Sequence, residues 1–138
     1  MSQILDEHLQ ENEEIERAIA ALQQEPTQEL LAHALTVIRR RMNNGGQLVV
    51  AVDAPENSAQ MNAHAIKTED GGIWWSAFTS FEEEIKGNSR VMSAFLGNMK
   101  QLFEIAMKTD GINGIILNPW NRTIMLDKQL IRIILGGN

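Results

Sequence analysis

The histidines available as general bases are His8, His33 and His64. His8 sits in an acidic stretch, His33 follows Leu30 by three positions beside an apolar helical stripe, and His64 lies between Ala63 and Ala65 in a strand-like run. None belongs to a Gly-x-Ser-x-Gly elbow, an i, i+4 histidine pair or another metal spacing, so a structural role is the expectation for each. The chain has no cysteine, and hence no thiolate nucleophile, cysteine metal site or disulfide. Glu82, Glu83 and Glu84 invite a metal reading, yet adjacent helical residues point about 100° apart, and a solvated first helical turn is expected instead. Arg39, Arg40 and Arg41 invite a phosphate reading. They close a helix, where the helix dipole favours cations, and the following Asn43-Asn44-Gly45-Gly46 reads as a C-cap and connector, with no Lys-Ser or Lys-Thr pair opening a helix. Asp53, at the end of an apolar strand, is the best-placed single carboxylate, although an isolated aspartate there is more often a strand terminator.

The sharper site is the turn Asn118-Pro119-Trp120-Asn121-Arg122. Burying a tryptophan removes roughly 200 Å² from water, at most about 5 kcal/mol, which makes a core anchor one reading of Trp120. The other is a part-exposed aromatic beside the Asn118 amide and Arg122, the composition of a protein-contact hot spot.

Those residues require elements to hold them. Ile115, Ile116 and Leu117 form an apolar run without helical spacing, a strand buried on both faces, and Asn118-Pro119 stops it because Pro119 donates no hydrogen bond and disfavours a helical Asn118. Thr123 to Leu126 predicts a second short strand, with Asp127 capping a last helix over Leu130, Ile131 and Ile134. Upstream, Leu48 to Val52 reads as a central strand. Met61 to Lys67 and Ile73 to Phe78 form a hairpin about Asp70-Gly71-Gly72, with Trp74 and Trp75 on opposite faces and unequally buried. A short helix is expected from Thr79 to Ile85 behind a capping box. Val91 to Leu96, then a helix over Met99, Leu102, Phe103 and Ala106, then Ile112 to Leu117 predicts a unit with parallel strands and a right-handed crossover. The fold class is α+β, a mixed sheet of about five strands packed by helices, residues 45–138, with an N-terminal helical segment, residues 1–44.

In that segment, Ile15, Ile19 and Leu22 recur at i, i+4 and i+7, a narrow stripe among acids. Such a helix docks on the domain, pairs with a copy of itself, or awaits a partner. The next helix, capped by Thr27, carries a stripe wide enough for core: Leu30, Leu31, Ala34, Leu35, Ile38 and Met42. The formal net charge is -6, and residues 1 to 30 hold eight acids against the single base Arg17. That balance argues against a nucleic-acid partner. No apolar run of roughly 18 residues and no signal-peptide pattern appears, so neither membrane insertion nor signal-peptide secretion is expected and the cytoplasm is the default.

Ala77-Phe78-Thr79-Ser80 before an acidic short helix, and Gly114-Ile115-Ile116-Leu117-Asn118-Pro119-Trp120 before a closing helix, resemble the SseB N-terminal-domain family over Gln47 to Gly136. The resemblance implies a bacterial protein without assigned activity. It carries over no catalytic residue, and the family name adds only associations with serine sensitivity and with type III secretion, the second giving a weaker alternative, a secretion-associated protein. The expected function is therefore a non-enzymatic binding or adaptor module. Its protein partner or second copy would meet Asn118, Trp120 and Arg122, the sheet face near Trp74 and Trp75, or the acidic helix. No cofactor or metal is expected. The alternative is a small-ligand protein or enzyme with a pocket near Asp53 and Asn118.

Overall fold

The computed structural model describes residues 11–53, 62–63, 65–80, 83 and 93–136. The chain is α+β, with a mixed sheet and helices before, within and after it. Helix α1 (Glu13–Gln24) and helix α2 (Gln28–Asn43) lead into strand β1 (Gln47–Asp53). The hairpin region follows as β2 (Asn62–Ala63), β3 (Ala65–Lys67) and β4 (Ile73–Phe78). Then come β5 (Ser93–Asn98), α3 (Met99–Lys108), β6 (Gly114–Leu117), β7 (Ile124–Asp127) and α4 (Lys128–Ile134).

Strand β1 is central: Val49 and Val50 pair with Leu96 and Phe95 of β5 on one edge and with Phe78 and Ala77 of β4 on the other, both antiparallel. Beyond Val50 the β1 and β4 strands part, β2 continuing along β1 and β3 along β4. Strand β6 lies parallel to β4 and antiparallel to β7. These directions make β5 and β6 parallel, as the strand-helix-strand pattern predicts, but β1 and β4 stand between them.

The helices and one face of the sheet share a core. Ile15 and Ile19 of α1 and Ile38 of α2 are wholly buried in the same cluster as Leu48, Phe103, Ile115 and Leu126. Residues on both sides of position 44 therefore build one interior, and the narrow stripe of α1 docks there. Strand β6 is buried on both faces, as its unbroken apolar run predicts. A Cβ at Gly114 would lie 2.0 Å from the Leu126 carbonyl oxygen, so glycine permits the close approach of β6 and β7.

The predicted caps are present where the chain is described. Leu30 N–H donates to Thr27 Oγ1 at 3.1 Å and Leu130 N–H to Asp127 Oδ1 at 2.8 Å. Glu83 N–H donates to Ser80 Oγ at 3.2 Å, half of a capping box, but Glu83 is 2% exposed, so a solvated turn is the wrong picture at that position. The other members of the glutamate triplet, the acidic residues 1–10, Met61 and His64 lie outside the described residues.

At the hairpin turn the Thr68 hydroxyl, and then the Gly72 N–H at 3.0 Å, hold the Asp70 carboxyl below its ordinary value of 3.8. A carboxyl depressed on folding stabilises the fold above its unfolded value, and this contribution is lost as pH falls through the lower folded value. The expected NMR titration midpoint of Asp70 lies below 3.8, and Thr68→Val moves it upward.

Candidate functional site

Among the described residues, two that are not glycine, Asn118 and Arg122, have positive φ, 55° and 50°, and they bracket the turn that carries Trp120. Asparagine tolerates this left-handed backbone better than most residues, and Pro119 fixes the next φ. Every polar group of Asn118 is then engaged. Its N–H donates to the Ala77 carbonyl at 2.8 Å, which extends the β4–β6 pairing, and its own carbonyl accepts from Thr123 Oγ1 at 2.6 Å and from Asn121 N–H at 3.3 Å. Its side-chain Oδ1 accepts from Thr79 N–H at 2.9 Å and its Nδ2 donates to Thr79 Oγ1 at 3.0 Å.

From Thr79 the network reaches α1. The Thr79 hydroxyl, having accepted from Asn118, donates to Glu16 Oε2, while Glu16 Oε1 accepts from Arg122 Nη1 at 3.0 Å. Asn12 does not cap α1, because its amide is used elsewhere: Nδ2 donates to the Gln47 and Thr79 carbonyls at 2.7 and 3.1 Å, and Oδ1 accepts from Arg41 Nε at 3.3 Å. Arg41, itself buried, also pairs with Glu11. Two carboxylates and two guanidiniums thus balance at the end of the sheet where β1 begins and β4 and β6 finish. The arrangement satisfies charges and fixes a turn, as buried polar groups require.

Glu16 and Arg122 form a charge-assisted bond, but the Arg122 side chain is 42% exposed, so water screens much of it. Glu16→Gln keeps an acceptor for Thr79 and turns an amide toward the guanidinium. The expected loss is about 1 kcal/mol, read as a lower urea midpoint with unchanged slope.

The sequence-predicted binding residues separate. Asn118 is buried and serves the network, Arg122 is half-buried against Glu16, and Trp120 is 39% exposed at the tip. Trp74 is 9% exposed, while Trp75, half-buried, packs on the main core from the opposite face. Strand register places Asp53 and Asn118 at opposite ends of the sheet. Asn118 lies by Ala77 and Thr79, Thr79 is tied through Asn12 to Gln47, and Asp53 stands six residues further along β1, about 20 Å away. The arginine triplet also splits: Arg41 joins the buried network, Arg40 meets Glu14 at 3.8 Å, and Arg39 has no ion pair among the described residues. His33 is exposed in a cleft between α1 and α2 beside Glu14, Arg17 and Arg40. Among the described residues there is no metal-binding group of three or more His, Cys, Asp or Glu side chains, and no helix is long and apolar enough to cross a membrane.

No family model, curated protein or solved structure matches this chain.

Proposed function

We propose that this protein is a non-enzymatic binding module that meets a protein partner through the Trp120 turn. The observation that supports this reading is the tryptophan's 39% exposure on a backbone whose flanking residues, Asn118 and Arg122, are both held by hydrogen bonds. A rigid support lowers the ordering cost of binding, and an aromatic presented in this way contributes large contact area for two side-chain torsions. The turn also joins β6 to β7, a strand that pairs on one edge only among the described residues, so the surface lies at the rim of the described sheet. Of the SseB-like motifs, Gly114 to Trp120 runs into the same turn, and neither motif brings a catalytic residue with it.

The test is affinity capture from native lysate with wild type and a Trp120→Ala variant shown by melting to be folded. A partner kept by wild type and lost by the variant supports the reading, and a wild-type mass that rises with concentration identifies that partner as a second copy. Equal capture by both proteins, or none by either, rejects the turn as the contact surface.

A further inference from the structure

Between α2 and α4 lies an open groove of about 390 Å³ whose lining includes Leu31, Leu35, Thr36 and Arg39 from one helix and Leu130 and Ile133 from the other. No residue of the Trp120 turn takes part in it. Leu31, Leu35 and Arg39 follow one another at i, i+4 and i+8, so they share one helical face and mark a track of about 12 Å that is apolar at one end and cationic at the other. Ile133 adds an aliphatic side chain that is 46% exposed on the facing helix.

Arg39 distinguishes this groove from an ordinary seam between helices. Arg40 and Arg41 have carboxylate partners, whereas Arg39 makes no ion pair or hydrogen bond among the described residues, and no carboxylate lines the groove. Its guanidinium lies beside Gly136, where a Cβ would approach Nη2 to 3.0 Å. In a chain of net charge -6, an apolar track ending in an unspent guanidinium complements a molecule with an alkyl body and an anionic, planar head. The volume falls within the small-ligand range of roughly 300 to 1,000 Å³.

We propose that this groove binds a medium-chain carboxylate, the alkyl chain lying along Leu31, Leu35, Leu130 and Ile133 and the carboxylate on Arg39. The inference does not depend on the Trp120 reading. Its test is titration of the full chain with octanoate, decanoate and dodecanoate below their micelle-forming concentrations, followed by calorimetry and by NMR shifts. Affinity is expected to rise by up to about fourfold for each methylene that enters the groove, with shifts on α2 and α4. Arg39→Gln should weaken decanoate about tenfold and leave decanol unaffected. Ala32→Phe, at an exposed helical position lining the groove, should block binding without altering the melt. Trp120→Ala should bind decanoate as wild type does. Absence of saturation, equal affinity for decanol or decyltrimethylammonium, indifference to chain length, or shifts outside the two helices would overturn the proposal.

Discussion

Deletion of residues 1–24 is expected to abolish the cooperative melting transition. Ile15 and Ile19 are wholly buried in the core they share with the sheet, and truncating a buried isoleucine costs about 2 to 5 kcal/mol. Two such losses rival the roughly 5 to 15 kcal/mol that separates a folded domain from its unfolded chain. The deletion also strips Glu16 from Thr79 and Arg122, and removes Asn12 and Glu11 from the buried Arg41. Taking partners from a buried guanidinium is costlier than replacing the whole set with apolar groups. Ile19→Ala is the graded companion: it should leave a cooperative melt lowered by about 3 kcal/mol, or about 10 °C. A truncated chain that melts at the wild-type temperature would mean that α1 is detachable, returning it to the role of a helix held for a partner.

What was legible in the sequence was local. The β6 run, the Asp70-Gly71 turn, the Thr27 and Asp127 caps and the unequal tryptophans each depend on residues within a few positions of one another, where spacing alone dictates geometry. The polar network has no such pattern. Glu16 meets Thr79 from 63 residues away and Arg122 from 106, and Asn12 meets Arg41 from 29, so only the completed fold brings them together. Arg41 illustrates the limit. As the last of three cations in a helical turn it reads as a dipole partner, and nothing adjacent distinguishes it from the exposed Arg39 and Arg40. One signal was available: acids at Glu11 and Glu16 on either side of Asn12 leave α1 a polar edge beside its narrow stripe, and such an edge must be satisfied once the stripe docks. Asp53 shows the same limit from the other side. Asp53 and Asn118 each follow the end of an apolar strand, but β1 and β6 run in opposite senses, so their carboxyl ends point apart.

Substitutions at Asn118 should separate the two things that residue does. Asn118→Gly keeps the left-handed backbone and removes the side chain, leaving the buried Thr79 N–H without its acceptor and Thr79 Oγ1 without its donor, at about 3 kcal/mol. Asn118→Ala removes the same bonds and adds the cost of a Cβ at φ 55°, roughly 1 kcal/mol more, so it should be the less stable of the pair in urea melts. Equal stabilities would mean that the turn relaxes out of the left-handed region and that the hydrogen bonds carry the whole effect. Asn118→Asp retains the acceptor for Thr79 N–H, but turns a second carboxylate oxygen toward a hydroxyl whose only proton already goes to Glu16. Thr79 cannot donate to both. Two carboxylates then compete at one buried hydroxyl, so Asn118→Asp should be no milder than Asn118→Gly at neutral pH and should recover part of its loss in mild acid, where one carboxylate takes up a proton. That recovery, absent in Asn118→Gly, would show that the network is wired through the single Thr79 proton.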